Sequence, residues 1–146
     1  MNERSSCALT YAGTTAELAL RNGPLNLVTR SMLRELDGAL SEIVGRPDLR
    51  CLILHGGEAR AFCAGSDMKE FAGLRANARE DKILPEDTML RRIEQLPMPT
   101  IAAIDGPALG GGLELALSCD LRIVRRGVAL GLRSEEHTSE LQSPYV

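Results

Sequence analysis

Two short apolar runs open the chain, residues 7–11 and 16–20, with Ala12, Gly13, Thr14 and Thr15 between them. Runs of this length joined by a glycine-containing turn predict a β-hairpin. Arg21, Asn22, Gly23 and Pro24 break the pattern. From Thr29 onward the apolar positions Met32, Leu33, Leu36, Leu40, Ile43 and Val44 recur at helical spacing. That spacing predicts an amphipathic helix, capped by Thr29 or Ser31 and ended by Gly45, Arg46 and Pro47. Residues 50–55 follow as a nearly continuous apolar run, the pattern of a strand covered on both faces. A helix leading into such a strand predicts an α/β layer architecture.

Beyond Gly56 and Gly57 a loop runs to Gly65. Residues 69–87 are mixed and polar, contain Gly73 and Pro85, and predict a helix, a mobile loop and a second helix. Residues 88–96 read as helix, stopped by Pro97 and Pro99, and residues 100–104 as another buried strand. After Asp105, Gly106 and Pro107, the triplet Gly110, Gly111 and Gly112 leads into the apolar residues 113–118. This is a strand, glycine turn, helix unit, with residues 121–124 as one more strand. There is no internal repeat or low-complexity linker, and 146 residues at 44% hydrophobic content suit one domain with a real core.

Charge narrows the partners. The 17 basic and 20 acidic residues are interspersed and sum to −3, so no basic face is available for nucleic acid. No stretch approaches the roughly 18 apolar residues of a membrane span, and residues 1–6 are not followed by an apolar run of signal-peptide length. The expectation is a soluble, cytoplasmic protein with neither nucleic acid nor membrane as partner. Cys7, Cys51, Cys63 and Cys119 are widely spaced, with only His55 and His137 to join them, so no metal site is predicted. They read as small buried hydrophobes in a reducing compartment.

The glycine triplet carries the first chemical signal. Three residues without Cβ let a ligand approach the backbone N–H groups that open a helix, which suits an anion or a developing oxyanion. A dinucleotide fingerprint is excluded because Gly110, Gly111 and Gly112 are followed by Leu113, Glu114 and Leu115, and a P-loop because no Lys-Ser/Thr pair follows Gly111. Close helix packing explains the glycines equally well. A second set of free N–H groups is offered by residues 61–71, AFCAGSDMKEF, where a glycine turn meets a helix start. Alone this is ordinary turn and cap chemistry. Together the two segments have the form an oxyanion hole needs, with donors converging from separate stretches of backbone.

Residues 61–71 and 99–124 resemble the two hallmark segments of the enoyl-CoA hydratase/isomerase, or crotonase, family, and the likeness runs from the hairpin through residues 23–27 to about Leu132. The resemblance implies an α/β crotonase spiral of strand-strand-helix units packed as two roughly perpendicular sheets. It places the backbone N–H groups of Ser66 and Gly111 on a thioester carbonyl, with Ser66 standing where alanine is commoner. Asp67, Met68 and Lys69 fall on the loop lining the CoA thioester, with Gly110 beside it, and Pro24, Leu25, Leu27 and Ala64 fall at CoA contacts. Glu114 corresponds to the first of the family's two catalytic glutamates. Its place between Leu113 and Leu115 predicts partial burial that would tune it for acid–base work, while a first-turn glutamate also suits the helix dipole without any catalytic role. The implied chemistry is enolate stabilisation, with hydration of a 2-enoyl-CoA first and enoyl-CoA isomerisation as the alternative. Dehalogenases, hydrolases, decarboxylases and noncatalytic CoA- or RNA-binding relatives share the scaffold. CoA is part of the substrate, no metal or redox cofactor is needed, and a homo-oligomer, trimer or hexamer, is implied at full length.

The pattern departs from the family after Leu130, Gly131 and Leu132, where Arg133 and Ser134 replace the expected Pro-Glu carrying the second glutamate. Residues 133–143 resemble the translation of a sequencing-adapter oligonucleotide. The expectation is a truncated crotonase-like domain over residues 1–132, its C-terminal part missing, and a non-native tail over 133–146. Glu135, Glu136 and His137 receive no catalytic role, and these 146 residues alone are expected to be an inactive fragment.

Overall fold

The computed structural model describes residues 4–132, so the adapter-like tail lies outside the described residues. The predicted hairpin forms β1 (Cys7–Ala12) and β2 (Thr15–Leu20), paired antiparallel. Helix α1 (Arg30–Val44) starts where the polar residue before its apolar stripe can cap it. Thr29 is the N-cap, and its hydroxyl accepts from the Met32 N–H at 3.1 Å. Such a cap stabilises a helix by about 1 kcal/mol. β3 (Cys51–His55), β4 (Thr100–Ile104) and β6 (Leu121–Val124) then add in parallel, giving a five-stranded sheet in the order β1-β2-β3-β4-β6. A second, two-stranded sheet pairs β5 (Ala108–Leu109) with β7 (Leu130–Gly131).

The central strands alternate rather than being covered on both faces. Leu52 and Leu54 are buried while Cys51, Ile53 and His55 are only half-buried. The buried face joins Leu18, Leu20, Leu52, Leu54, Ala102 and Ile104 to Met32, Leu36, Leu40 and Ile43 of α1 in one core cluster. Among the described residues no helix is long and apolar enough to cross a membrane.

Residues 69–87 hold no loop of the predicted kind. α2 (Met68–Leu74) passes through a 3-10 turn (Arg75–Asn77) and a π turn (Arg79–Ile83) directly into α3 (Leu84–Glu94). Pro85 does not break the path, because it falls where the π turn gives way to the first turn of α3. The π turn directs Lys82 inward. It is fully buried, and its ammonium donates to the Val28 carbonyl at 2.7 Å and reaches Glu70 Oε1 at 3.5 Å.

Asn26 pins the loop after β2. It is 0% exposed, has φ +48, accepts from the Asn22 N–H at 2.8 Å, and reaches the carbonyls of Gly56, Ala61 and Phe62 at 3.0–3.1 Å. Asn26→Ala leaves the buried carbonyls of Ala61 and Phe62 without a donor, while Gly56 keeps the Ala59 N–H, and urea unfolding is expected to show a loss of about 2–3 kcal/mol.

All four cysteines are free, and Cys7, Cys63 and Cys119 are buried. Burial pushes each of these three thiols up to about 11. The half-buried Cys51 is therefore expected to be the thiol that reacts first with a disulfide reagent such as DTNB in the native protein, with the other three following on denaturation.

Candidate active site

Three backbone segments meet beside the ends of β4 and β5. The loop after β2 is tied to residues 61–67. Ala64 N–H donates to the Leu25 carbonyl at 2.9 Å, Val28 N–H to Gly65 at 2.8 Å, and Asp67 N–H to Val28 at 3.0 Å. The turn into α4 (Gly111–Leu117) is tied to the same loop through Leu109 N–H, which donates to the Cys63 carbonyl at 3.0 Å.

This bonding leaves two N–H groups over. Val28 bridges Ser66 in parallel by pairing with the residues on either side of it, so the Ser66 N–H faces away from Val28. Gly111 opens α4, and a first-turn N–H has no acceptor within its own helix. Among the described residues neither group has a backbone acceptor. They are neighbours. A Cβ built on Gly111 would lie 3.9 Å from the Ser66 nitrogen, and one on Gly65 would lie 3.7 Å from the Gly111 nitrogen. Gly65 has φ +104, a conformation L side chains rarely adopt, and this turn presents Ser66 to Gly111.

One groove brings together nine of the predicted residues: Leu25, Leu27, Ala64, Ser66, Asp67, Met68, Lys69, Gly110 and Gly111. Met68 and Lys69 are exposed at its lip. The Asp67 carboxylate caps α2, accepting from Lys69 N–H at 3.0 Å and Glu70 N–H at 3.3 Å, and Gly110 N–H donates to the Gly131 carbonyl at 2.7 Å. Pro24 lies outside the groove, in a neighbouring hollow with Arg21, Gly23 and Arg60. Its carbonyl accepts from Arg60 N–H at 2.9 Å.

Gly111 also lines a second, apolar pocket, shared with Val28, Leu33, Met89, Leu115 and two carboxylates, Glu114 and Glu86. Glu114 is exposed, contrary to the partial burial expected of it. The reason is the phase of α4: Gly112, Leu115, Ala116 and Cys119 form the buried stripe, which leaves Glu114 at the pocket rim.

Residues 11–135 match the family model described as enoyl-CoA hydratase/isomerase. The chain belongs to this family. It is similar to a "Probable enoyl-CoA hydratase" of Bacillus subtilis (strain 168), 43% identical over 119 residues that cover 80% of this chain and 45% of the relative. It is also similar to the mitochondrial methylglutaconyl-CoA hydratase of Mus musculus, 37% identical over 107 residues covering 73% of this chain and 34% of the relative. The crystal structure of an enoyl-CoA hydratase from Bacillus anthracis matches with a TM-score of 0.81 at 37% identity, covering 86% of this chain and 49% of that one. The chain therefore spans less than half the length of these relatives, and within that span its fold is the crotonase α/β fold expected from the motifs.

Sequence reasoning about this enoyl-CoA hydratase/isomerase family member missed Glu86. The Ser66 hydroxyl donates to Glu86 Oε1 at 2.7 Å. Burial pushes the Glu86 carboxyl above its ordinary range, and the charges of Glu114 and Asp87 add to this, while the Ser66 hydroxyl and Lys82 oppose it. A usable signal was present, because Glu86, Met89, Leu90 and Ile93 share helical spacing, which puts a carboxylate on an apolar stripe.

Proposed function

We propose that this chain contributes the thioester-activating part of an acyl-CoA enzyme, and that its reaction is hydration of a 2-enoyl-CoA. The single observation that carries the reading is the adjacent pair of backbone N–H groups of Ser66 and Gly111, without backbone acceptors among the described residues, at the junction of the groove and the apolar pocket. Two preorganised donors aimed at one carbonyl oxygen stabilise the charge that develops there as the thioester becomes an enolate. Because the main chain supplies both donors, serine at position 66 preserves the pair.

The groove along Leu25, Leu27, Ala64 and Asp67 takes the pantetheine arm, with Met68 and Lys69 at its lip and Pro24 beside it. The acyl carbons lie over the mouth of the apolar pocket, whose cavity of about 20 Å³ admits a water-sized group, and Glu114 at its rim holds the water that adds to the β-carbon. Coenzyme A is part of the substrate, and the reaction calls for no metal or redox cofactor. Enoyl-CoA isomerisation is the second reading. It uses the same N–H pair and can proceed with one carboxylate, and Glu114 is the family-matched carboxylate in this pocket. The same account makes the assembled enzyme a cytoplasmic homo-oligomer, a trimer or hexamer. Free cysteines fit a reducing compartment, and Leu117, Leu121 and Ile123 are exposed apolar residues of the kind a partner surface covers.

The test is to incubate the full-length protein with crotonyl-CoA and with a 3-enoyl-CoA and to separate the products. Formation of 3-hydroxyacyl-CoA from the first supports hydration. Conversion of the second to 2-enoyl-CoA without net hydration moves the assignment to isomerisation, and failure to bind or convert either thioester removes the acyl-CoA reading.

A further inference from the structure

We infer that Glu86 is a second acid–base residue of this pocket, exchanging a proton with the α-carbon of the acyl group while the Ser66 and Gly111 N–H groups hold the thioester oxygen. The inference rests on the acyl-CoA reading and assigns a role to a side chain which that reading does not use.

The placement carries the argument. The Ser66 hydroxyl fixes one oxygen of Glu86 at 2.7 Å, and the backbone nitrogen of that same serine is one of the two donors beside Gly111. The other oxygen, Oε2, has no hydrogen-bond partner among the described residues. Glu86, Gly111 and Glu114 line one pocket, whose remaining walls include Val28, Met89 and Leu115. A thioester oxygen held by the two N–H groups puts its α-carbon one bond beyond the carbonyl carbon, next to the serine that anchors Glu86. An uncommitted, half-buried carboxylate oxygen at that point is suited to take a proton.

The step balances without any co-reactant. The Cα–H bond breaks, its electron pair moves into the enolate, and the proton goes to Glu86 Oε2. Reversal returns the proton to Cα and regenerates the carboxylate. In hydration the halves are shared: water oxygen bonds to Cβ as its proton passes to Glu114, protonated Glu86 delivers its proton to Cα, and before the next turnover Glu114 releases a proton to solvent while Glu86 takes one up.

Charged and titratable groups face Glu86 from each packed element. Lys82 comes from the π turn and lowers its proton affinity; Asp87 on its own helix and Glu114 on α4 raise it, and the buried Cys63 thiol lies close enough to sense its charge. The Ser66 hydroxyl favours the ionised form. Removing that hydroxyl must therefore move the Glu86 titration to higher pH, leaving the Ser66 backbone N–H in place.

The test follows exchange of the α-protons of butyryl-CoA for deuterium in heavy water, by mass spectrometry, with the full-length protein. Calorimetric binding of butyryl-CoA is measured alongside. Wild-type exchange is expected to fall as pH drops through the Glu86 titration. Glu86→Gln is expected to slow exchange by about 100-fold or more while binding stays within a few-fold, and Ser66→Ala is expected to move the acid limb upward in pH. A merely structural Glu86 would not move that limb. Wild-type rates in Glu86→Gln, or an unmoved limb in Ser66→Ala, overturn the inference and leave the acyl-CoA reading standing. If the wild type binds no butyryl-CoA, the acyl-CoA reading itself fails and this inference fails with it.

Discussion

Gly112→Ala is expected to cost the protein most of its stability. A Cβ at that position would overlap the Cys63 carbonyl oxygen and sit 2.6 Å from its carbonyl carbon. The obstacle is backbone, and no side-chain rotamer relieves it. The segment that would have to move also receives the Leu109 N–H bond that ties the turn before α4 to the loop bearing Ser66. Overpacking a core costs about 1–3 kcal/mol and occasionally more, and a clash this close belongs at the upper end or beyond. A fall in melting temperature of about 10 °C or more, or loss of soluble protein, is the expected result. Gly38→Ala is the control. A Cβ there meets nothing within 4 Å on an exposed face of α1, and the exchange is expected to stabilise the helix by about 0.5–1 kcal/mol. The contrast separates close approach from a general cost of adding a methyl group.

Glu114→Gln is expected to lower the rate of 2-enoyl-CoA hydration by about 10²–10⁴-fold while acyl-CoA affinity stays within a few-fold. The amide keeps the size of the side chain but cannot accept the proton that water gives up. Glu114 is exposed and lies off the buried stripe of α4, so the fold loses little. Single-turnover kinetics with a melting curve of the variant checks both halves. A parallel drop in affinity and stability would instead make Glu114 a structural residue.

The elements with strict periodicity were legible before the structure. β1, β2 and α1 fall where the two short apolar runs and the three-to-four spacing put them, with Thr29 rather than Ser31 as the cap. Ser66, Gly111 and eight further residues named from the motifs lie near one another, nine in the groove and Glu114 in the pocket that shares Gly111. Glycine and cap chemistry is local, and local chemistry is written in the sequence. The failures came where tertiary contacts decide. A π turn that buries Lys82 against the Val28 carbonyl has no periodic signature. Gly73 and Pro85 in a weakly periodic stretch suggest a loop, yet Pro85 falls in the first turn of α3, where it is tolerated. Glu114 was expected to be partly buried from its apolar neighbours in sequence, whereas burial depends on helix phase. Glu86 is the instructive omission, because it stood on the Met89–Leu90–Ile93 stripe and was read as part of a polar stretch.

The most direct test of the central claim is the carbonyl resonance of butyryl-CoA labelled with carbon-13 at the thioester carbon, followed by NMR as the full-length protein is added. Donation by the Ser66 and Gly111 N–H groups predicts a bound signal shifted downfield from the free thioester, because hydrogen bonding to the oxygen withdraws electron density from that carbon. Bound thioester with an unshifted carbonyl would contradict the account.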